Sequence, residues 1–480
     1  MEASRKVVKN IFWLALEPGL RVLIAIPLAG FVAHKLGVTI YGEFNYALSF
    51  VVLFSVAANL GLSEVLLRTV ARHPPDLPRL WSSVLVLKGI LLVTYLAILW
   101  GASVALGQSR HLQLLILLLG LYQGLLSLDN TARAVFGGNQ EMKAIAGLGS
   151  FKAFGEVAVT VVVLLLGARA VGLAVSRVGL GLVGLVGTLW LTWRHFGVRF
   201  GRPSVALATP LVVPGLSFAI ATALWSVNSR AGILILERVR GLDDVGLFTA
   251  AMAPVDKIFQ FLPAIEMALF PFFSSIGDED GERMSSSLSR ALRYQAVLSV
   301  GLGVCVSILG PWMIRIVFPR SFSQAMVVLE VLGLSVAVRA VRTLLSTAVG
   351  ARGGERALAW ITGAQCVVTL GITTALARSE GAVGLAWALT ASETTALVLF
   401  LVVLARRHSL SFFKPTAFFG AIAAGVAAYL PYHFVPGATQ SLFLPPLFAA
   451  LYPLLLFVLG ALSRDDIGYF SELARRRAGA

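Results

Sequence analysis

Leu36-Gly37-Val38-Thr39-Ile40-Tyr41-Gly42-Glu43-Phe44 and Arg240-Gly241-Leu242-Asp243-Asp244-Val245-Gly246-Leu247-Phe248 read as two versions of one segment. Gly37, Gly42 and Phe44 coincide with Gly241, Gly246 and Phe248 at an offset of 204. A second pair is identical over its whole length. Ala170-Val171-Gly172-Leu173-Ala174 recurs as Ala382-Val383-Gly384-Leu385-Ala386, at an offset of 212. Each of these segments opens or joins long apolar stretches. Two repeats at similar offsets, both at equivalent ends of apolar stretches, predict a duplicated unit of six spans. Six is even, so the two copies have the same orientation, related by a pseudo-two-fold axis along the membrane normal. Parallel repeats of this kind occur in transporters whose two halves rock around a midplane site.

Working outward, a membrane-spanning helix needs about 20 mostly apolar residues. Fourteen stretches meet that need: 11–34, 42–66, 81–105, 112–132, 144–167, 171–193, 211–236, 246–273, 291–314, 323–349, 357–377, 382–404, 416–433 and 443–462. The expected fold is therefore an all-α polytopic membrane protein with 14 transmembrane helices. Residues 1–200 form an N-lobe of spans 1–6, and residues 201–410 a C-lobe of spans 7–12. Residues 411–480 hold two extra spans and a short basic tail. Spans 13 and 14 contain no charged residue, so they are expected on the outside of the second lobe. The basic start, residues 1–10, resembles a signal peptide, but the apolar stretch after it is too long and contains Arg21, so it reads as a permanent helix.

Composition agrees. Of 480 residues 58% are hydrophobic and 13% charged, with a mean hydropathy of +0.85. A soluble enzyme, a disordered chain and a secreted disulfide scaffold are excluded. Cys305 and Cys366 both lie in apolar stretches and read as small hydrophobes. The net charge of +15 would suggest nucleic acid in a soluble protein. Here it follows membrane topology. With both termini in the cytoplasm, cytoplasmic segments carry 23 Lys/Arg and opposite loops 8, with 8 more inside spans. Positive charge collects on cytoplasmic loops. This orients the chain in the cytoplasmic membrane and leaves no excess that calls for nucleic acid.

The motif search yields no catalytic chemistry. Gly179-Leu180-Gly181-Leu182-Val183-Gly184 spells GxGxxG, but it lies inside span 6 and not between a strand and a helix, as a dinucleotide site requires. Close helix packing explains it, as for Gly120 and Gly124. The six histidines show no metal-ligand spacing, and no nucleophile–base pair or P-loop appears. No enzyme activity and no cofactor is expected.

The in-span bases carry the functional information: Arg21, Lys88, Lys152, Arg177, Arg230, Lys257, Arg339 and Arg342. Each costs roughly 2.5–3.5 kcal/mol at the centre of a lipid-exposed helix, so most must snorkel, pair or face water. Lys88, Arg339 and Arg342 lie in the cytoplasmic halves of their spans and are expected to snorkel. Lys152 and Glu156 are spaced to pair along one helix. Arg21 and Lys257 lie near mid-membrane, each between two prolines (Pro18 and Pro27; Pro254 and Pro263), and Arg230 lies in the outer half of span 7. These three are the candidate substrate-binding bases. Glu17, Asp256 and Glu266 are the candidate coupling acids, for H+ or Na+. The opposing reading is that Glu17 merely neutralises Arg21, and Asp256 Lys257.

Residues 36–71 also carry a resemblance. Leu36-Gly37, Tyr41-Gly42-Glu43-Phe44, Leu48-Ser49, Gly61-Leu62-Ser63 and Arg68, with the opening Asn10-Ile11-Phe12-Trp13, resemble the oligosaccharide flippase (polysaccharide transporter) family of the multidrug/oligosaccharidyl-lipid/polysaccharide exporter superfamily. The resemblance implies a V-shaped, two-lobed transporter with a cavity bounded mainly by spans 1, 2, 7 and 8. It implies a polyprenyl-diphosphate-linked oligosaccharide as substrate, moved from the cytoplasmic to the outer leaflet by alternating access. The partners implied are that lipid, the surrounding membrane, and polymerases or glycosyltransferases of glycan assembly. Related lipid II flippases place basic residues in helices 1, 2 and 8; here span 1 has Arg21 and span 8 Lys257, but span 2 has no central base. Alternatives are a cation-coupled drug antiporter of the same fold, a lipid II flippase, and a non-transporting scaffold.

Overall fold

The structure is a computed structural model. It describes residues 2–72, 76–197, 201–260, 262, 269–270, 273–276, 281–407, 415–435, 441 and 444–458; the side chains of residues 2–23, 142, 205, 281–283, 407, 415–419 and 433 are outside the described set. Every extended element among these residues is a helix. In chain order they are α1 (Glu2–Phe54), α2 (Val56–Asn59), α3 (Leu62–Val70), α4 (Leu77–Ala105), α5 (Arg110–Gly138), α6 (Met142–Leu165), α7 (Ala170–Phe196) and α8 (Val205–Ser226). A π-helical turn, Val227–Ala231, leads into α9 (Gly232–Arg240) and α10 (Leu242–Phe259). Then come α11 (Gly281–Val317), α12 (Ala325–Gly350), α13 (Glu355–Arg407), α14 (Pro415–Phe434) and α15 (Leu444–Val458).

Eight helices among the described residues are long and apolar enough to cross a membrane. Some of these join two expected spans. α1 runs through Gly37, where the backbone leaves the helical region (φ 74°, ψ 172°), and α13 runs through Gly381 (φ 57°, ψ −130°). At 52 residues, Glu355–Arg406 is more than twice the length one crossing needs. The chain divides into two compact units, Met1–Thr249 and Ala250–Ala480.

The duplicated loop segment keeps its conformation. Gly37 (φ 74°, ψ 172°) and Gly241 (φ 87°, ψ −173°) adopt the same backbone geometry at the predicted offset. Only glycine enters that region without strain. Both positions break a helix, so the sequence match reflects a shared backbone conformation.

In the N-terminal unit, α3, α4, α5 and α8 bury a core that includes Leu62, Leu66, Trp81, Val84, Ala132, Val135 and Leu211. Gly120 and Gly124 face Leu99 and Leu92, so the close packing read from sequence is present, with α4 as the partner helix. In the C-terminal unit, α11, α12 and α13 bury Leu288, Leu344, Leu345, Ala348, Ala396 and Phe400. α14 and α15 pack on α11 through Ala421, Ala424, Tyr432, Phe448 and Tyr452, and the Tyr452 hydroxyl donates to the Val297 carbonyl at 2.6 Å. Small residues on α14 allow this approach, as membrane packing requires in the absence of a hydrophobic drive between helices.

Candidate functional site

The expected second span is not one helix. α1 ends at Phe54, α2 lasts one turn, Leu60 and Gly61 take left-handed backbone (φ 44° and 69°), and α3 starts at Leu62. A break inside a membrane leaves backbone groups to be satisfied by neighbours. Lys88 on α4 does so indirectly. It is 1% exposed. Its Nζ donates to Ser63 Oγ at 2.6 Å, and to the carbonyl and Oγ of Ser127 at 3.0 Å. Ser127 Oγ in turn donates to the Ala58 carbonyl at the break. Ser63 reaches Asn59 and Thr131, and Asn59 reaches Glu64. Lys88 therefore does not snorkel: three acceptors held by the broken helix and α5 take the place of water.

Gly61, Arg68, Glu43 and Phe44 of the resembling segment each contact another helix. Gly61 packs on the Gly215 carbonyl of α8, and Arg68 stacks 4.7 Å from the Phe218 ring centroid. Glu43 lies 3.4 Å from His111, and Phe44 is buried beneath the Arg177 guanidinium. Gly61 and Arg68 hold the break against α8, while Glu43 and Phe44 join α1 to α5 and α7.

A second polar group lies between α5, α6 and α7. Asp129 is 2% exposed. It accepts from Thr188 at 2.6 Å, pairs with Arg133 at 2.9 Å, and pairs with Lys152. Glu156 pairs with Arg177 of α7 at 3.2 Å. The sequence places Lys152 and Glu156 one turn apart as partners; in the structure Lys152 pairs with Asp129 of α5 and Glu156 with Arg177 of α7. Gly184 makes this geometry fit, since a Cβ there would meet the Lys152 side chain. The glycine-rich stretch of span 6 is thus a packing device for a buried lysine.

In the C-terminal unit Arg339 and Arg342 of α12 do not snorkel either. Both pair with Glu393 of α13, at 3.6 and 2.6 Å, and Glu393 is 4% exposed. Arg339 also stacks 3.9 Å from the Phe259 ring centroid. The buried carboxylate compensates both guanidinium charges through charge-assisted contacts. The signal was present in sequence as Glu393, but pairing across 51 positions is a tertiary fact.

Of the residues singled out for substrate or ion, Arg21 and Glu17 lie on α1 with side chains outside the described set, and Glu266 lies outside the described residues altogether. Arg230 sits in the π-helical turn, half-buried. Such turns are inserted where a helix must bulge to present a side chain, and they are frequent at functional sites. Asp256 and Lys257 are half-buried on α10, two turns or fewer from Pro254 and beside Phe259. No group of three or more metal-ligating side chains occurs among the described residues.

Apolar helices of spanning length, with helix breaks, a π-turn and buried ion networks, define a class: a polytopic helical membrane protein. The sequence model for "Polysaccharide biosynthesis protein" matches residues 7–277, and that for "Lipid II flippase MurJ" matches residues 259–453. The chain belongs to the polysaccharide biosynthesis protein family. Among solved structures it is similar to lipid II flippase MurJ in an inward closed conformation, with a TM-score of 0.72 at 11% identity, covering 95% of this chain and 99% of that one. It is also similar to an inward-facing multidrug resistance MATE transporter (TM-score 0.63, 14% identity, 82% and 94% covered). A third is a MOP superfamily transporter from Pyrococcus furiosus described as having a binding pocket of reversed polarity (0.57, 14%, 85% and 97%). At these identities the structures show the fold. No curated protein matches the sequence significantly.

Proposed function

We propose that this protein is a flippase moving a polyprenyl-diphosphate-linked oligosaccharide from the cytoplasmic to the outer leaflet by alternating access, for cell-surface glycan assembly. Membership of the polysaccharide biosynthesis family over more than half of the chain carries this reading. The physical need is plain. Each unsatisfied polar group of a glycan costs several kcal/mol in hydrocarbon, so the glycan crosses in a water-filled cavity while the polyprenyl tail stays in lipid. Bases lining that cavity hold the diphosphate by charge-assisted hydrogen bonds. Arg21, Lys257 and Arg230 are assigned that role, and Glu17, Asp256 and Glu266 are assigned to ion coupling. The proposed architecture is fourteen spans in two six-helix lobes plus two, with both termini cytoplasmic.

Reconstitution tests it. Proteoliposomes loaded with a lectin-detectable polyprenyl-diphosphate oligosaccharide should show protein-dependent exposure of the glycan on the opposite leaflet, and lipid II should be moved more slowly. Arg21→Ala should reduce flipping more than Lys257→Arg, because an arginine fork can replace a lysine point charge but nothing replaces the lost fork. If Arg21→Ala combined with Glu17→Ala restores full flipping, Arg21 was a structural partner only. Failure to flip any lipid-linked glycan, together with proton-driven uptake of an organic cation, overturns the reading in favour of an antiporter.

A further inference from the structure

We infer that Glu237 is a proton-binding carboxyl whose neutral form locks α9 against α1 and the turn between α4 and α5. Glu237 lies just beyond the expected span 211–236 and is half-buried. Tyr46 of α1 is 1% exposed. Its hydroxyl oxygen accepts from Gln108 Nε2 at 2.9 Å, so the phenolic proton needs an acceptor of its own. Glu237 is in reach as that acceptor, and the Gln108 amide reaches the same carboxyl. Gln108 is itself held in the turn, where Gln113 Nε2 donates to its carbonyl at 2.8 Å. Three elements thus meet through one carboxyl, one phenol and one amide.

The surrounding bases are engaged elsewhere or face outward. His111 of α5 stands 3.4 Å from Glu43 of α1, and Arg240 of α9 pairs with Asp244 of α10 at 3.7 Å. Arg238, the next residue in the chain, is exposed, as are Lys35 of α1, Arg110 of α5 and Asp243 of α10. Glu237 therefore faces two neutral donors. Removal from water disfavours a charged carboxylate, whereas a neutral carboxyl keeps an oxygen that accepts from Tyr46 and Gln108. When α9 leaves α1, the carboxyl enters water and ionises. Locking takes up a proton and unlocking releases it, so the lock is complete at low pH and is lost as pH rises through the titration of the locked carboxyl. In the proposed topology this end of α9 lies on the side opposite the termini. Use of the lock as an outer gate rests on the flippase reading; the lock itself does not.

Hydrogen–deuterium exchange of the full-length protein in lipid nanodiscs tests this, with rates corrected for the intrinsic effect of pH on amide exchange. In residues 40–50 and 232–240 the corrected rate should rise about tenfold between about pH 5 and about pH 8. Glu237→Gln keeps a neutral acceptor and should stay slow at both. Tyr46→Phe loses the donor and should exchange faster than wild type at the lower pH. His111→Gln should keep the wild-type pH dependence, although histidine titrates in the same range. The proposal is overturned if the wild-type rate does not depend on pH, if Glu237→Gln retains the dependence, if Tyr46→Phe matches wild type, or if His111→Gln abolishes the dependence. If Tyr46→Phe does not fold, Glu237→Gln decides. No substrate is present, so the lock is tested apart from flipping. A titrating lock in a protein that flips nothing rejects the flippase reading alone. Glycan flipping without a titrating lock rejects this proposal alone.

Discussion

Gly42 on α1 and Gly246 on α10 stand in reciprocal contact. A Cβ on Gly42 would meet the Leu242 carbonyl, and a Cβ on Gly246 would meet the Val38 carbonyl. Val38 and Leu242 are themselves related by the offset of 204 that relates the two glycines. Each copy of the duplicated segment thus presses its glycine onto the carbonyl of the other. This is the self-complementary pattern of a two-fold contact, in which residue i meets j and j meets i. Backbones approach this closely only where neither carries a side chain.

Gly42→Ala and Gly246→Ala should therefore destabilise to a similar degree, by about 1–3 kcal/mol each. The pair should cost less than the sum, because both changes open the same contact. Thermal unfolding in detergent measures this. A large loss at one glycine and none at the other would refute the reciprocity.

Lys88 makes its three hydrogen bonds with uncharged groups. Replacing a buried charge by an apolar side chain of similar volume is tolerated better than leaving a hole. Lys88→Ala should cost about 2–5 kcal/mol, and Lys88→Met less than half of that. Equal losses in the two variants would show that the charge itself, and not the filled volume, holds the break between α2 and α3.

Glu393 serves both Arg339 and Arg342. Removing it leaves two buried guanidinium groups, so Glu393→Ala should cost about 3–5 kcal/mol. Arg342→Met should then cost much less in the Glu393→Ala background than alone, a coupling that a double-mutant cycle reads directly. Arg339→Ala should be milder than Arg342→Ala, because Arg339 has the longer carboxylate distance. Additive losses would rule the triad out.

Gly184→Ala should displace Lys152 from Asp129, since the added methyl falls on the lysine stem. The expected loss is about 1–3 kcal/mol. Combining it with Lys152→Met, whose side chain bends more readily and has no charge to place, should recover most of that loss. If the double variant is no better than Gly184→Ala, the clash lies elsewhere.

Much of this protein was legible in the chain. Apolar stretches of spanning length are a local property, so the helices and the polytopic class were readable directly. The repeated turn was readable because Gly37 and Gly241 occupy a backbone region that only glycine enters without strain. The GxGxxG stretch was correctly read as packing for the same kind of reason: its position within a helix forbids a strand–turn–helix cradle. The site was less legible. Sequence assigned Lys88, Arg339 and Arg342 to the membrane edge, because position along a span is all that one dimension offers. Their acceptors are Ser63 and Ser127 for the first and Glu393 for the others, and these come from different helices. Lys152 and Glu156 are neighbours by the helical period, yet the partners supplied by the fold are Asp129 and Arg177 on adjacent helices. Hydropathy and periodicity, which sum over near neighbours, decided that helices form and where they turn. Only tertiary packing decided which buried charges meet, because that depends on groups distant in sequence sharing one small volume from which water is excluded.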